Sequence, residues 1–175
     1  KALNEEIKAG HIHYYGASAM YGYQFAEYCY KAKELGCTGT NFVNAHGLDA
    51  PNHYSSARDL AAITAAAMEN ADFCRIFAAR SYTCGEETYY NHNKLLTSCE
   101  GCIGLKTGYT SKAGRTLVSV CERNGTRLIC VTLRDGDDWA DHARLYDWGF
   151  ENYETVKLAA TAEILGSLPL VSGSR

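Results

Sequence analysis

Cys102-Ile103-Gly104-Leu105-Lys106-Thr107-Gly108-Tyr109-Thr110 is the stretch on which the reading of this chain turns. Its apolar lead delivers a lysine and a threonine, then a glycine, the residue that lets a ligand approach a strand backbone closely. On a strand edge, Lys106 offers an ammonium, Thr107 a hydroxyl, and the backbone around Gly108 free N–H groups. That set suits an anionic acyl substrate and acyl-transfer chemistry. Three common residues in that order recur by chance, and the plain alternative is a strand leaving a turn with Lys106 in solvent. The flanking sequence has to decide.

On the C-terminal side, residues 115–122 and 126–133 are two β-rich runs joined through Asn124-Gly125, a strong hairpin signal. With Arg123 opposite Thr126, Val118 and Val120 face Val131 and Ile129, while Leu117, Ser119 and Cys121 face Thr132, Cys130 and Leu128. Neither face is strongly polar, so helices or another layer must cover both. In this register Cys121 and Cys130 are diagonal neighbours, a poor geometry for a disulfide. Asp137-Asp138-Trp139 then opens an amphipathic helix with Trp139, Leu145, Tyr146 and Trp148 as its apolar members and Gly149 as its stop.

On the N-terminal side, residues 82–88 and 89–96 read as extended, with Gly85 as a turn, after a short helix over 73–78. Ser56 is placed as an N-cap, and Asp59 completes a capping box ahead of a buried stripe of Leu60, Ile63 and Ala67. The pattern over 18–35 is helical, with Met20, Phe25, Tyr28 and Leu35 near one stripe and Gly36 as a C′ stop. Residues 40–54 form a loop in which His46, Asp49 and His53 match no metal-ligand spacing and read as a hydrogen-bonded turn. His11 and His13 read as part of a solvent-exposed loop.

The 175 residues suit one compact unit, and a 46% hydrophobic and 21% charged composition is ordinary for a soluble globular protein. A formal charge of −3 with scattered Lys and Arg gives no footprint for nucleic acid. No apolar run approaches a membrane span, and Lys1 follows neither a signal peptide nor an initiator Met, so the chain is expected to start inside a longer or processed protein. Eight cysteines are spread too evenly for a compact disulfide framework and fit a reducing or anaerobic setting. Cys99-Glu100-Gly101-Cys102 is the one CxxC. Without a second pair it reads as a loop whose thiols can join under oxidation rather than as a zinc or redox centre, and no cofactor or metal is expected.

Several blocks now fall in order: Phe42-Val43-Asn44-Ala45-His46-Gly47-Leu48-Asp49, His53-Tyr54-Ser55-Ser56-Ala57-Arg58-Asp59-Leu60-Ala61, Asn91-His92-Asn93-Lys94-Leu95-Leu96, the Lys106 strand, Ala113-Gly114-Arg115, and Leu145-Tyr146-Asp147-Trp148-Gly149-Phe150. Together they resemble the serine-type D-alanyl-D-alanine carboxypeptidases, the low-molecular-mass penicillin-binding proteins, from about Ala26 to Tyr153. The resemblance implies an α+β, β-lactamase/transpeptidase-like fold, an antiparallel sheet flanked by helices, with its N-terminal part incomplete. Residues 1–153 would be a partial transpeptidase-like domain and 154–175 the start of a small β-rich one.

Carried onto this sequence, the resemblance implies that Lys106 holds the terminal carboxylate of a peptidoglycan stem peptide and tunes the proton chemistry. Thr107 would hydrogen-bond the same group, Gly108 would let the acyl chain lie along the strand, and the Tyr109 N–H would supply half of an oxyanion hole. It further implies β-lactams as ligands and an extracytoplasmic place in the cell envelope. The family also uses a Ser-x-x-Lys, whose serine is the nucleophile, and a Ser-x-Asn. No serine here has lysine three places on or asparagine two places on. Tyr89-Tyr90-Asn91 has the Tyr-x-Asn form but lies where the family has a structural strand. By itself the chain is therefore expected not to turn over. It is read as a carboxypeptidase lacking its N-terminal catalytic portion, complemented by a missing segment or partner chain. The alternative is a non-catalytic peptidoglycan-binding module. A thiol- or metal-dependent protein built on Cys99 and Cys102 ranks last.

Overall fold

A computed structural model describes residues 22–156 of the chain. Helices α1 (Gly22–Glu34), α2 (Ala57–Ala67) and α3 (Ala71–Ala78) come first, then a hairpin of β1 (Ser81–Cys84) and β2 (Glu87–Tyr90). After the short α4 (Leu95–Ser98) come β3 (Cys102–Gly104), β4 (Thr107–Thr110), β5 (Gly114–Arg123), β6 (Thr126–Leu133) and the closing helix α5 (Asp138–Asn152).

The β5–β6 hairpin pairs Arg123 with Thr126, Val120 with Ile129 and Val118 with Val131, the register expected from Asn124-Gly125. β3 and β4 both pair antiparallel with β5, at Cys102–Cys121 and at Thr107–Leu117 through Thr110–Gly114. Because β6 occupies the other side of β5, β3 and β4 are two halves of one edge strand. The expected continuous strand over 102–110 is therefore interrupted. Gly104 (φ 101°) and Leu105 (φ 119°) take positive φ, and the ladder resumes where Val118 N donates to Lys106 O at 3.0 Å.

Each face of the sheet is covered, as its two-sided apolar pattern required. On one side Leu117, Cys121 and Cys130 pack with Leu95, Cys99 and Tyr146 of α5. On the other, Val120 joins Met68 and Leu105, with Phe73 and Phe77 of α3, Val118 and Ile129 against them. Fully burying side chains such as Leu95, Leu117 and Tyr146 contributes roughly 1.5–3 kcal/mol each.

Several local expectations need correction. Residues 89–96 are not one strand: β2 stops at Tyr90, and Asn93 Oδ1 accepts from Leu95 N at 3.1 Å to start a helical turn that buries Leu95 and Leu96. In α5 the inward stripe is Asp138, His142, Tyr146 and Gly149, whereas Leu145 and Trp148 are exposed. Ser56 does cap α2, accepting from Asp59 N at 3.1 Å. Asp59 does not return the bond. Its buried carboxylate instead accepts from Gly39 N at 2.8 Å and Thr40 Oγ1 at 2.7 Å, pinning the preceding loop to the helix. Leu60, Ile63 and Ala67 are only half-buried.

α1 turns inward through Cys29 and Ala32, and Tyr28 and Leu35 stay exposed. Gly36 ends it at φ 73°, with Cys37 N donating to Ala32 O and Gly36 N to Lys33 O, the paired bonds of a glycine C-cap. Met20, the His11–His13 pair and the β-rich module expected over 154–175 lie outside the described residues, apart from 154–156.

Candidate active site

Alternation along the ladder decides what β4 can offer. In an antiparallel pair, each residue directs its N–H and C=O either to its neighbour or away. Val118 bonds to Lys106, so Lys106, Gly108 and Thr110 face β5, and Thr107 and Tyr109 turn their backbone groups to the outer edge. Among the described residues the Tyr109 N–H is thus left open to an extended ligand, and the Thr107 carbonyl accepts from the Lys106 ammonium.

The kink places the lysine there. A Cβ on Gly104 would stand 2.2 Å from the Phe77 carbonyl oxygen, so α3 presses the backbone of β3 where only glycine fits. The chain then turns through Leu105, whose side chain is buried beside Met68 and Val120, and Lys106 emerges exposed. A positive φ on a non-glycine residue is strain of about 1–3 kcal/mol that surrounding packing must hold, and such strain concentrates at functional sites.

An open groove of about 330 Å³ runs along β4 and collects all four expected residues, Lys106, Thr107, Gly108 and Tyr109. Its other wall comes from His92, Arg115, Thr116, Asp138 and Trp139. Arg115 makes a two-pronged ion pair with the buried Asp138 and stacks over the Trp139 ring at 5.5 Å. Its guanidinium is therefore committed, and it ties the first turn of α5 to β5. His92 and Arg115 belong to the family-like sequence blocks, which signalled their neighbourhood but not their place in the groove. Asp138 and Trp139 carried only a helix-start signal. At the far end Thr110 Oγ1 donates to Asp49 Oδ1 at 3.0 Å and accepts from Ala113 N at 2.9 Å, which docks the 40–54 loop onto β4. His46 Nδ1 and His53 Nδ1 each accept a loop N–H, so this segment is the hydrogen-bonded turn its sequence suggested.

Gly108 has a second reason to be glycine: a Cβ there would meet Thr116 Oγ1 at 2.6 Å. The hydroxyl on β5 fills the space beside the strand.

One serine does sit beside an imidazole. Ser119 Oγ lies 2.7 Å from His142 Nδ1 and 2.6 Å from the Tyr146 hydroxyl, and His142 Nε2 lies 3.0 Å from Thr132 Oγ1. One consistent set of donors runs from Tyr146 to Ser119 to His142 to Thr132, with the imidazole neutral. Burial pushes the His142 pKa down to about 4 and the Tyr146 phenol well up. Ser119 and His142 are fully buried, so no substrate reaches this pair. It is a polar bolt between the sheet and α5, and no sequence pattern singles it out.

A sequence profile described as D-alanyl-D-alanine carboxypeptidase matches residues 24–137. The chain is similar to the D-alanyl-D-alanine carboxypeptidase DacA of Haemophilus influenzae, at 39% identity over 140 residues, 75% of this chain and 35% of that protein. Its fold is similar to the crystal structure of D-alanyl-D-alanine carboxypeptidase from Mycobacterium tuberculosis, with TM-score 0.68 and 36% identity over 73% of this chain and 53% of that one. A penicillin-binding protein of Listeria monocytogenes, solved in its cefotaxime-bound form, gives TM-score 0.66 and 30% identity over 71% and 54%. The antiparallel sheet flanked by helices is thus a transpeptidase-like fold. The chain spans about a third to a half of the length of the relatives it matches.

Proposed function

This chain belongs to the D-alanyl-D-alanine carboxypeptidase family, and from that membership we propose that it forms the substrate-holding wall of a serine-type hydrolase that trims peptidoglycan stem peptides in the cell envelope, outside the cytoplasm. The observation that carries the reading is the open edge of β4, where an exposed ammonium and a hydroxyl stand beside outward main-chain groups. A stem peptide ending in D-Ala-D-Ala brings a terminal carboxylate and an extended backbone. Lys106 and Thr107 take the carboxylate, Gly108 lets the backbone lie close, and the Tyr109 N–H faces the carbonyl oxygen on which negative charge develops. The reaction such a wall serves acylates a serine with release of D-alanine and then hydrolyses the acyl-enzyme. β-Lactams would occupy the same edge.

These 175 residues carry neither Ser-x-x-Lys nor Ser-x-Asn, and Ser119, the one serine bonded to a histidine among the described residues, is sealed in the core. That favours a second role for the polypeptide by itself, binding the stem peptide without turnover. Incubation with a fluorescent penicillin followed by denaturing electrophoresis tests the point. No labelled band is expected, and a band that survives denaturation overturns the reading.

A further inference from the structure

The acyl-transfer reading leaves the Cys99-Glu100-Gly101-Cys102 segment unexplained, and the fold brings a third thiol to it. Cys102 of β3 stands directly opposite Cys121 of β5. Glu122 N donates to Gly101 O at 2.9 Å, which makes Gly101 and Glu122 a hydrogen-bonded pair and Cys102 and Cys121 the adjoining non-bonded pair. Residues paired in that way share a face of the sheet, with Cα atoms about 4.5 Å apart, inside the roughly 4.4–6.8 Å window of a disulfide. Cys121 and Cys99 belong to one apolar cluster, and Cys102 packs against it. Cys99 also lies near both, and the Cys121 thiol donates to the Glu100 carbonyl at 3.1 Å, but neither of the other two thiols in the cluster has this cross-strand pairing. Cys99 Sγ faces the Arg123 guanidinium at 3.7 Å, and Cys130 pairs with Ser119.

We propose that Cys102 and Cys121 are a disulfide site, joined across β3 and β5 when the protein meets a small-molecule disulfide. Cys102, the partly exposed member, loses its proton and attacks one sulfur of the small disulfide, releasing one thiolate. Cys121, buried behind it, then loses its proton and attacks Cys102 Sγ in the mixed disulfide, releasing the second thiolate. Two protein thiols are oxidised to one disulfide, and one small disulfide is reduced to two thiols. The bond sits two residues before Gly104, so it fixes β3 just ahead of the kink that presents Lys106. It forms whether or not β4 holds a substrate.

The test is to incubate the native chain with oxidised glutathione, denature it, alkylate the remaining thiols and map the peptides by mass spectrometry. The expected product is a Cys102–Cys121 cross-linked peptide, with a rise in Tm of about 5–10 °C that dithiothreitol reverses. Cys99→Ser should leave the bond in place, and Cys121→Ala should abolish it. A dominant Cys99–Cys102 or Cys99–Cys121 bond overturns the proposal. So does a native chain with Cys102 and Cys121 both alkylated after a treatment that oxidises them in urea. Both of these outcomes are read on the unmodified chain and do not depend on the variants folding.

Discussion

At Gly108 a single added methyl group would press on Thr116 Oγ1 at 2.6 Å. Gly108→Ala should therefore lower stability by about 1–3 kcal/mol, and the loss should shrink in a Thr116→Ala background, where the hydroxyl is gone. Thermal denaturation of the two single variants and the double variant measures this coupling. At Gly104 the obstacle is the Phe77 backbone carbonyl, which cannot rotate away, so Gly104→Ala should be the more damaging change. His142 gives a pH dependence. Its folded pKa, about 4, lies below the ordinary 6.5, so the unfolded chain binds the proton more readily. Stability is then full above pH 6.5 and falls as pH drops toward 4, by up to about 3 kcal/mol. Tm measured from pH 8 to pH 4.5 should decline in that window, and the slope should flatten in His142→Asn. That Lys106, Thr107, Gly108 and Tyr109 line one groove was legible because they are one tripeptide and its neighbour at the start of a single strand. The bolt of Ser119, His142 and Tyr146 was not, because its members are 23 and 27 residues apart and Tyr146 looked simply apolar.

Among the elements, the β5–β6 hairpin and the α2 N-cap were readable because a two-residue turn and a capping serine are decided by adjacent residues. The break between β3 and β4 was not readable, because the Phe77 carbonyl that forces it comes from another helix. Leu95-Leu96 was ambiguous for a different reason: a short apolar run suits a strand or a helical turn equally, and the Asn93 bond to Leu95 N decides it. α5 is seated on the sheet by the Arg115–Asp138 pair at its first turn and by Arg123 at its last turns, where the guanidinium donates to Asp147 at 2.9 Å and covers the Phe150 ring at 4.8 Å. Arg115→Met should leave the buried Asp138 carboxylate without its partner and lower stability by about 2–3 kcal/mol. Denaturant unfolding would measure it, and Asp138→Asn should cost less, because it removes the buried charge along with the ion pair.

For the whole molecule, the proposed substrate wall lies along one edge of the sheet among the described residues. β4 is an open edge, and Tyr109 is exposed beside the groove. Leu48, Tyr54, Tyr89 and Tyr90 are further exposed apolar or aromatic side chains around the fold, the kind of surface that favours association. The transpeptidase-like architecture was legible because its blocks are strung along the chain in order. The outer edge of β4, unpaired and with no activated serine facing it among the described residues, is seen only once the sheet is assembled. The capture of a terminal carboxylate proposed for Lys106 would be a charge-assisted contact, and its loss in Lys106→Ala should weaken binding roughly 10- to 100-fold. The most direct measurement is amide NMR during titration with a peptide ending in D-Ala-D-Ala. The Thr107 and Tyr109 amides should shift saturably, and these shifts should largely disappear in Lys106→Ala. Amides along β4 that stay fixed at millimolar peptide, or that shift equally in the variant, would contradict the assignment of this edge as the substrate-holding wall.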